Sequence, residues 1–277
     1  MRARPATARA GQKATDVRYQ PGFFTVALVC LIVLYAPIFV LVGLSFNANT
    51  VVTSWTGFTL DWFAKAVQND DFYSAAANTL TISLSATVFS TMLATAAALG
   101  TTRGQPWRGQ GAAYMTISLP LMVPEIITAV ATLAFFSLLA SVFGINFGIG
   151  NLIIAHTVFC IPFAYMPIRA RLEDMDLTLD YAAADLYATP WATFWRITLP
   201  LLLPGIIAGA ALAFIVSFDD FTITQLVAGP GQTTLPIYIW AKIRRPLTPE
   251  VNAMCTVLLM ISVFFVSFSA FIGGRRR

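Results

Sequence analysis

Three acidic side chains occur inside long apolar stretches, where an ionisable group is costly unless it meets a partner or water. Glu125 lies in LPLMVPEIITAV, and Asp219 and Asp220 lie in IVSFDDFTI. These stretches contain no lysine or arginine, so the three acids would form a lining that attracts cations. The aromatic residues near them that could add cation–π contacts are Phe218, Phe221, Tyr238 and Trp240.

Glu125 also admits a structural role. It lies about 12 residues into an apolar segment, or roughly 18 Å at the helical rise, which is near the middle of a membrane. Pro120 and Pro124 precede it and are expected to kink or unwind the helix, because proline frees backbone carbonyls. The carboxylate could therefore face a pore, or it could be a protonated or helix-capping acid at the kink.

The other acids and the histidine have similar alternatives. The two aspartates could pair with Arg244 or Arg245 at the outer rim, or contact a partner chain. We interpret His156 as a hydrogen-bonded packing residue, with a role in the pore as the alternative. A single histidine cannot form an HExxH metal site, and His156, interpreted as a packing residue, is assigned no role as a triad base; the sequence also has no GxxxxGK[ST] phosphate loop. We therefore expect no catalytic residue and no metal site in this chain.

The composition places these acids in an integral membrane protein. Of the 277 residues, 57% are hydrophobic and 11% are charged, whereas soluble domains carry about a quarter charged residues. A membrane span needs about 20 mostly apolar residues. The segments that qualify are 22–46, 78–100, 113–140, 150–169, 200–228 and 251–272. The fifth is longer than a bilayer requires, so we expect it to tilt or to end in a structure that dips back toward the pore.

The distribution of basic residues predicts the orientation of these spans. With the amino terminus inside, 13 of the 17 lysine and arginine residues lie on the inner side. The outer side then keeps Lys65, Lys242, Arg244 and Arg245. Because cytoplasmic loops are rich in lysine and arginine, both termini are expected in the cytoplasm. The sequence therefore predicts one membrane domain over residues 21–272, with a cytoplasmic tail at 1–20 and a basic tail at 273–277.

A half-polar stretch interrupts the apolar sequence between the fourth and fifth predicted spans. On a helix over about 178–190, Ala182, Ala183 and Leu186 share one side. Asp185 lies on another. A face of small residues lets a second protein approach the backbone, as when an amphipathic helix docks in a groove. The alternative is a helix resting on the membrane surface, but such helices favour lysine and arginine on the polar face, and this one has none.

The stretch YAAADLYATPWATFWRITLP, residues 181–200, resembles the cytoplasmic EAA motif of binding-protein-dependent ABC importer permeases, E-A-A-x3-G-x9-I-x-L-P. The spacing is kept throughout, although two letters differ. Tyr181 replaces the acid of the motif, and Asp180, one residue earlier, could supply a substitute carboxylate. Tyr187 replaces a glycine that allows a bend between two short helices, so it must adopt the turn itself or continue the helix.

The resemblance covers roughly residues 20–272. The stretches AHTVFCIPFAYMPIRARLEDMD, SFDDFTITQLVAGPGQTTLPIYIW and TPEVNAMCTVLLM are similar to the spermidine/putrescine subgroup, and within it to the second permease subunit. The resemblance implies an all-α integral membrane fold of the type I, MetI-like importer class. It implies six transmembrane helices in the bacterial inner (cytoplasmic) membrane, with both termini cytoplasmic.

The resemblance also implies a non-catalytic subunit of a larger assembly. Its partners would be a second, non-identical permease forming a heterodimer, two ATP-binding cassette ATPase subunits that hold ATP and Mg²⁺, and an extracytoplasmic solute-binding protein. The helix at about 178–190 would be the coupling helix, seated in a groove of the ATPase. The residues implied in this coupling are Asp180, Tyr181, Ala182, Ala183, Asp185, Leu186, Tyr187, Ala188, Pro190, Leu199 and Pro200.

The solute implied by the resemblance is a polyamine of the putrescine or spermidine type, or a related organic amine. Importers of an opine, γ-aminobutyrate or an aminophosphonate stay open, because much of the selectivity could lie in the binding protein and the partner permease. A secondary carrier or an intramembrane enzyme is the alternative of another class. The docking helix argues against a carrier, which has no ATPase to dock, and the lack of catalytic pairs argues against an enzyme.

Overall fold

The computed structural model describes residues 22–52, 54–103, 107–176, 178–244 and 249–274. Within these residues the fold is helical, with one isolated antiparallel bridge between Asn47 and Phe58 in a loop. Residues 1–20 and 275–277 of the predicted tails, and also Arg245, lie outside the described residues.

Most of the described helices are joined by short connections, whereas a longer loop over 45–60 joins α1 to α2 and a π-helical segment at Phe194–Thr198 joins the eighth helix to the ninth. The helices are α1 (Phe23–Leu44), α2 (Asp61–Gln68), α3 (Asp70–Thr102), α4 (Gln110–Met122), α5 (Glu125–Phe143), α6 (Ile149–Glu173), α7 (Thr178–Asp185), α8 (Pro190–Thr193), α9 (Leu199–Phe218), α10 (Thr222–Val227), α11 (Leu235–Ile243) and α12 (Pro249–Gly274).

Several of these helices are long and apolar enough to cross a membrane. In the described part of the chain they are Phe24–Leu44, Asp70–Thr102, Glu125–Phe143, Ile149–Glu173 and Pro190–Phe218. The apolar part of α12, Pro249–Phe264, is shorter and corresponds to the sixth predicted span. The all-α membrane architecture expected from the sequence is therefore confirmed, whereas the count of six spans stays a prediction.

Two predicted spans are broken at positions that matter for the acidic residues. The third is interrupted after Met122, because Val123 and Pro124 take extended backbone conformations and α5 begins only at Glu125. Proline has no amide hydrogen to donate and disfavours a helical conformation in the residue before it. The fifth predicted span ends at Phe218, ten residues before its expected end, and the short helix α10 follows.

The core forms where α3, α6 and α9 pack against one another. Two glycines one turn apart allow α9 to approach α6 closely. A Cβ atom on Gly209 would lie 2.6 Å from the carbonyl oxygen of Ala164, and one on Gly205 would lie 2.7 Å from Cβ of Arg171. Small residues at this spacing are a common means of tight helix packing in membranes. This close contact fixes α9, and so positions the residues that precede and follow it.

Candidate coupling surface and acidic site

Helix α7 is shorter than the helix predicted over about 178–190. It ends at Asp185, and the amide of Ala188 donates to the carbonyl of Ala183 at 3.0 Å, which closes the helix end. Tyr187 has φ of 57°, the left-handed conformation that usually requires glycine at this position of a helix end. Of the two alternatives left by the sequence, Tyr187 therefore adopts the turn itself, at the position where the family motif has glycine.

Six of the exposed side chains of α7 and of its C-terminal turn form what we call the coupling surface: Leu179, Tyr181, Ala182, Asp185, Leu186 and Tyr187. Leu186 is 82% exposed and Tyr187 is 95% exposed, so large apolar groups face outward here. The structure differs from the sequence prediction at Ala183, which is 5% exposed and packs inside the chain. The helix ends early and rests on the π-helical segment, so the side carrying Ala183 faces inward.

Asp180 also points into the chain. Its carboxylate accepts a hydrogen bond from Nη1 of Arg103, at the end of α3, and one of 3.5 Å from Oγ1 of Thr198. Ala188 and Pro190 border a cavity of about 420 Å³ beside this ion pair. The structure thus places Asp180 behind the coupling surface and not on it.

The end of the motif leads into α9. Thr189 caps α8 by accepting from the amide of Ala192 at 3.3 Å, and Pro190 occupies the start of that helix. Leu199 is half-buried and Pro200 is exposed at the beginning of α9. Proline is well tolerated at the start of a helix, so the sequence sets where α8 and α9 begin.

Asp220 is a buried helix cap. Its carboxylate accepts from the amide of Ile223 at 3.3 Å, and from the amide and hydroxyl of Thr224 at 2.9 and 2.8 Å. These bonds satisfy amides at the start of α10 that have no partner within the helix. The cap explains why the chain leaves α9 after Phe218 and starts a new helix at Thr222.

His156 is the hydrogen-bonded packing residue that the sequence favours. Its Nδ1 lies 2.8 Å from the hydroxyl of Ser217, and its Nε2 lies 3.0 Å from the hydroxyl of Thr224. The same Nε2 is 3.4 Å from the carboxylate of Asp220. The ring is buried and joins α6 to the end of α9 and to α10.

Glu125 lies beside this buried network. Helix α10 packs against α5, and the half-buried side chain of Glu125 lies next to Asp220 and Thr222. Asp219 is exposed at the adjacent position. We call Glu125, Asp219 and Asp220 the acidic site. The structure therefore brings together the three acids that the sequence places in two distant apolar stretches.

One alternative from the sequence, the pairing of the aspartates with Arg244 or Arg245, is not found for Arg244 among the described residues. Arg244 lies over the ring of Trp240 at 5.4 Å, and the ion pairs of the described residues join neither Arg244 nor any other lysine or arginine to the acidic site. Arg245 lies outside these residues. Asp220 instead uses its oxygens to cap α10, and so it faces inward from the surface where Arg244 lies.

The predicted aromatic residues divide into buried and exposed positions. Phe218 is buried and stacks on Phe214, with ring centroids 5.2 Å apart. Tyr238 is buried, and its hydroxyl donates to Oδ1 of Asn69 at 3.3 Å. Trp240 is exposed and lies 5.4 Å from the ring of Phe221, which follows the acidic site directly. Of the four aromatic residues named from the sequence, Phe221 is half-buried and only Trp240 has an exposed ring.

Sequence reasoning missed the partner of Asp180. From the sequence, Arg103 is only one of the 13 basic residues predicted on the inner side. Its position at the end of an apolar span, with no acid nearby in the sequence, was a usable signal, because a partly buried guanidinium needs a partner. The hydroxyl partners of His156 gave no comparable signal, since serine and threonine are common in every span.

The chain belongs to the family of binding-protein-dependent transport system inner membrane components, whose model matches residues 90–275. Two similar proteins come from Escherichia coli strain K12. The putrescine transport system permease protein PotI is 36% identical over 241 residues, which cover 86% of each chain. The spermidine/putrescine transport system permease protein PotC is 34% identical over 239 residues, which cover 86% of this chain and 89% of PotC.

Solved structures show the same fold. A bacterial ABC transporter involved in the import of the acidic polysaccharide alginate gives a TM-score of 0.72 at 21% identity, covering 91% of this chain and 93% of that one. The MetNI methionine ABC transporter, in an inward-facing conformation, gives a TM-score of 0.63 at 16% identity, covering 79% of this chain and 99% of that one. The family and the ABC importer permease fold expected from the sequence are confirmed, as is a non-catalytic subunit, since the relatives are named as permeases.

Proposed function

We propose that this chain forms half of the translocation path of an ATP-driven importer for a polyamine of the putrescine or spermidine type, or a related organic amine. The observation that carries the proposal is the acidic site. Glu125 and Asp220 meet at the break between α4 and α5, with Asp219 exposed beside them. Three carboxylates that have no lysine or arginine partner among the described residues favour a cationic solute over a neutral or anionic one.

The three acids have different roles in this proposal. Asp220 is occupied with capping α10, so it contributes negative charge to the path without needing to touch the solute. Glu125 and Asp219 have the accessible carboxylates that would contact an amine. The exposed ring of Trp240 already has a cation–π contact with Arg244, so a solute amine would take the place of that guanidinium there. Phe218 and Tyr238 would support the site from inside the fold.

The similar proteins support the solute class. PotI is named as a putrescine permease and PotC as a spermidine/putrescine permease, and each covers most of this chain. An opine, γ-aminobutyrate or aminophosphonate importer remains the alternative, because these solutes also carry an amino group. The cognate solute-binding protein separates the candidates: we expect it to retain a di- or polyamine, and retention of a zwitterionic or phosphonate solute would reject the polyamine assignment.

Because the sequence has no phosphate loop for ATP, the proposal assigns ATP hydrolysis to partner proteins. The chain would pair with a second, non-identical permease, with two ATP-binding cassette subunits that hold ATP and Mg²⁺, and with an extracytoplasmic solute-binding protein. One solved neighbour, an alginate transporter, is a complex with an alginate-bound periplasmic protein, and it matches this chain with a TM-score of 0.67. In such an assembly, nucleotide binding elsewhere would shift the permease between two states.

The coupling surface is the proposed contact with the ATPase. Its apolar groups are exposed at a position where the chain has just left one span and is about to enter the next. A helix with an apolar face commonly docks in a groove of a partner. Ala182 is the residue whose small side chain would permit the closest approach, since Ala183 is buried by the chain itself.

A substitution of Ala182 tests the docking role. We expect Ala182→Arg to abolish co-purification of the ATPase and solute uptake, because a long charged side chain would hold the two surfaces apart. The permease should still insert in the membrane, since Ala182 is exposed. Ala241→Arg, the same change at an exposed position of α11, is the control and should leave ATPase association intact. Normal co-purification of the Ala182→Arg variant would reject docking at this surface.

A substitution of Glu125 tests the acidic site. We expect Glu125→Gln, which keeps the shape and removes the charge, to weaken putrescine uptake by the reconstituted complex about tenfold, the equivalent of about 1.4 kcal/mol. Glu250→Gln, in the first turn of α12, makes the same chemical change outside the acidic site and should leave uptake unchanged. Uptake kinetics that are identical for wild type and Glu125→Gln would remove Glu125 from the path.

A further inference from the structure

One carboxylate connects three elements at the end of the molecule that carries the coupling surface. Asp180 lies in the first turn of α7, where it accepts from Arg103, the residue that follows α3. Its other oxygen accepts from Oγ1 of Thr198, in the π-helical segment that leads into α9. We propose that Arg103 and Asp180 are positioning residues that transmit the movement of α7 to α3 and α9, an inference that rests on the proposed function.

The ion pair between Arg103 and Asp180 is strengthened because both side chains are largely buried. The side chains of Arg103 and Asp180 are 13% and 29% exposed. Charges that are mostly removed from water attract each other more strongly than surface charges, and removing one leaves the other buried and unpaired. The position of Asp180 at the start of a helix adds a favourable interaction with the helix dipole. A movement of α7 would therefore take Arg103 with it.

The helices that Asp180 reaches are themselves joined at the same end of the bundle. Thr101 of α3 is hydrogen-bonded to the hydroxyl of Tyr165 in α6 at 2.8 Å. Nε of Arg171 in α6 donates to the carbonyl of Leu201 in α9 at 3.0 Å. Since α3, α6 and α9 also form the packed core, a displacement of one of them also moves the others. It therefore reaches the acidic site, which lies where His156 of α6 contacts the end of α9.

The guanidinium of Arg103 has room to follow such a movement. Its Nε and Nη2 are buried and have no hydrogen-bond partner within the described chain. Arg103, Asp180 and Thr198 all border the cavity of about 420 Å³ beneath the coupling surface. Unused donors beside an open space allow Arg103 to exchange one hydrogen bond for another while the charge pair is kept. The pair can therefore keep its contact while the guanidinium reorients, and so pass the movement of α7 on to α3.

The test measures putrescine transported per ATP hydrolysed by the complete importer in proteoliposomes. We expect Arg103→Gln and Asp180→Asn to lower this ratio about fivefold or more, in the range of typical couplings between distant sites. The double variant Arg103→Asp with Asp180→Arg, which exchanges the charges, should recover part of the loss. Glu173→Gln is the matched control, because it removes the more exposed pair between Arg169 and Glu173, which lies within α6 alone.

The ratio separates transmission from assembly, since a loss of folded complex lowers transport and hydrolysis together. ATPase co-purification should persist in both single variants. An unchanged ratio in both would overturn the proposal. So would loss of the ATPase in Asp180→Asn without recovery in the double variant, because Asp180 would then be a contact to the ATPase. A wild-type complex that hydrolyses ATP without carrying putrescine would instead reject the polyamine assignment, and the variants would show no loss of coupling to measure.

Discussion

Tyr187 has a left-handed backbone conformation, which is energetically unfavourable for a tyrosine. An L-amino acid in the left-handed region is disfavoured by roughly 1 to 2 kcal/mol, and the exposed ring makes little compensating contact. We expect Tyr187→Gly to stabilise the purified chain in detergent by up to about 1 kcal/mol, because the greater freedom of glycine in the unfolded chain offsets part of the gain. Tyr187→Val should lower the thermal midpoint, since a β-branched residue fits this conformation worse. A destabilised glycine variant would show that the tyrosine ring is held by contacts.

At the scale of single residues, candidate positions can be chosen from the sequence more readily than the residues that they contact. The acids, the histidine and the motif spacing can be read from residue types in an apolar context. The partner of Asp180 cannot be read in this way, because Arg103 is 77 residues away in the chain and only the packing of α3 brings it close. The inward position of Ala183 depends on where α7 ends, and that end is set by a hydrogen bond of Ala188 across the turn.

The contact between α6 and α9 depends on the absence of a side chain at Gly209. A Cβ atom there would lie 2.6 Å from the carbonyl oxygen of Ala164, so the helices must separate to accept alanine. We expect Gly209→Ala to lower the stability of the chain in detergent by about 1 to 3 kcal/mol, the usual range for overpacking. Gly100→Ala is the control, since nothing lies within 4 Å of its Cβ position. It should be neutral or slightly stabilising.

An equal shift of both glycine variants in a thermal unfolding experiment would contradict tight packing at Gly209.

At the scale of elements, the sequence predicted where the long helices lie and that the prolines would interrupt the third one. It did not predict that α9 ends at Phe218, because the run over 219–228 holds neither proline nor glycine and its polar residues are compatible with a continuing helix. The cap formed by Asp220 determines that break, and a cap competes with an apolar helix only through its specific hydrogen bonds.

The whole molecule exposes an apolar surface that suits a membrane. Large side chains of α1, such as Phe24, Val33 and Phe39, are exposed along its length, and α1 packs against α12. Lipid tails are as apolar as these side chains, so the exposure carries no penalty in a bilayer. Polar groups are instead found inside the fold, as in the network around His156 and in the separate network around the buried Asn47. The chain therefore combines a lipid-compatible exterior with buried polar clusters, one of which lies at the acidic site.

The orientation of the whole molecule is a further prediction that can be measured. Trp55, in the loop after α1, and Leu186, after α7, are both exposed and are separated by three predicted crossings, so they should lie on opposite sides of the membrane. After Cys30, Cys160 and Cys255 are replaced by alanine, a membrane-impermeant maleimide is applied to intact spheroplasts that carry one new cysteine. We expect Trp55→Cys to be labelled directly and Leu186→Cys to be labelled only after permeabilisation, because the excess of lysine and arginine belongs inside. The reverse pattern would place the coupling surface outside, where no ATPase could reach it.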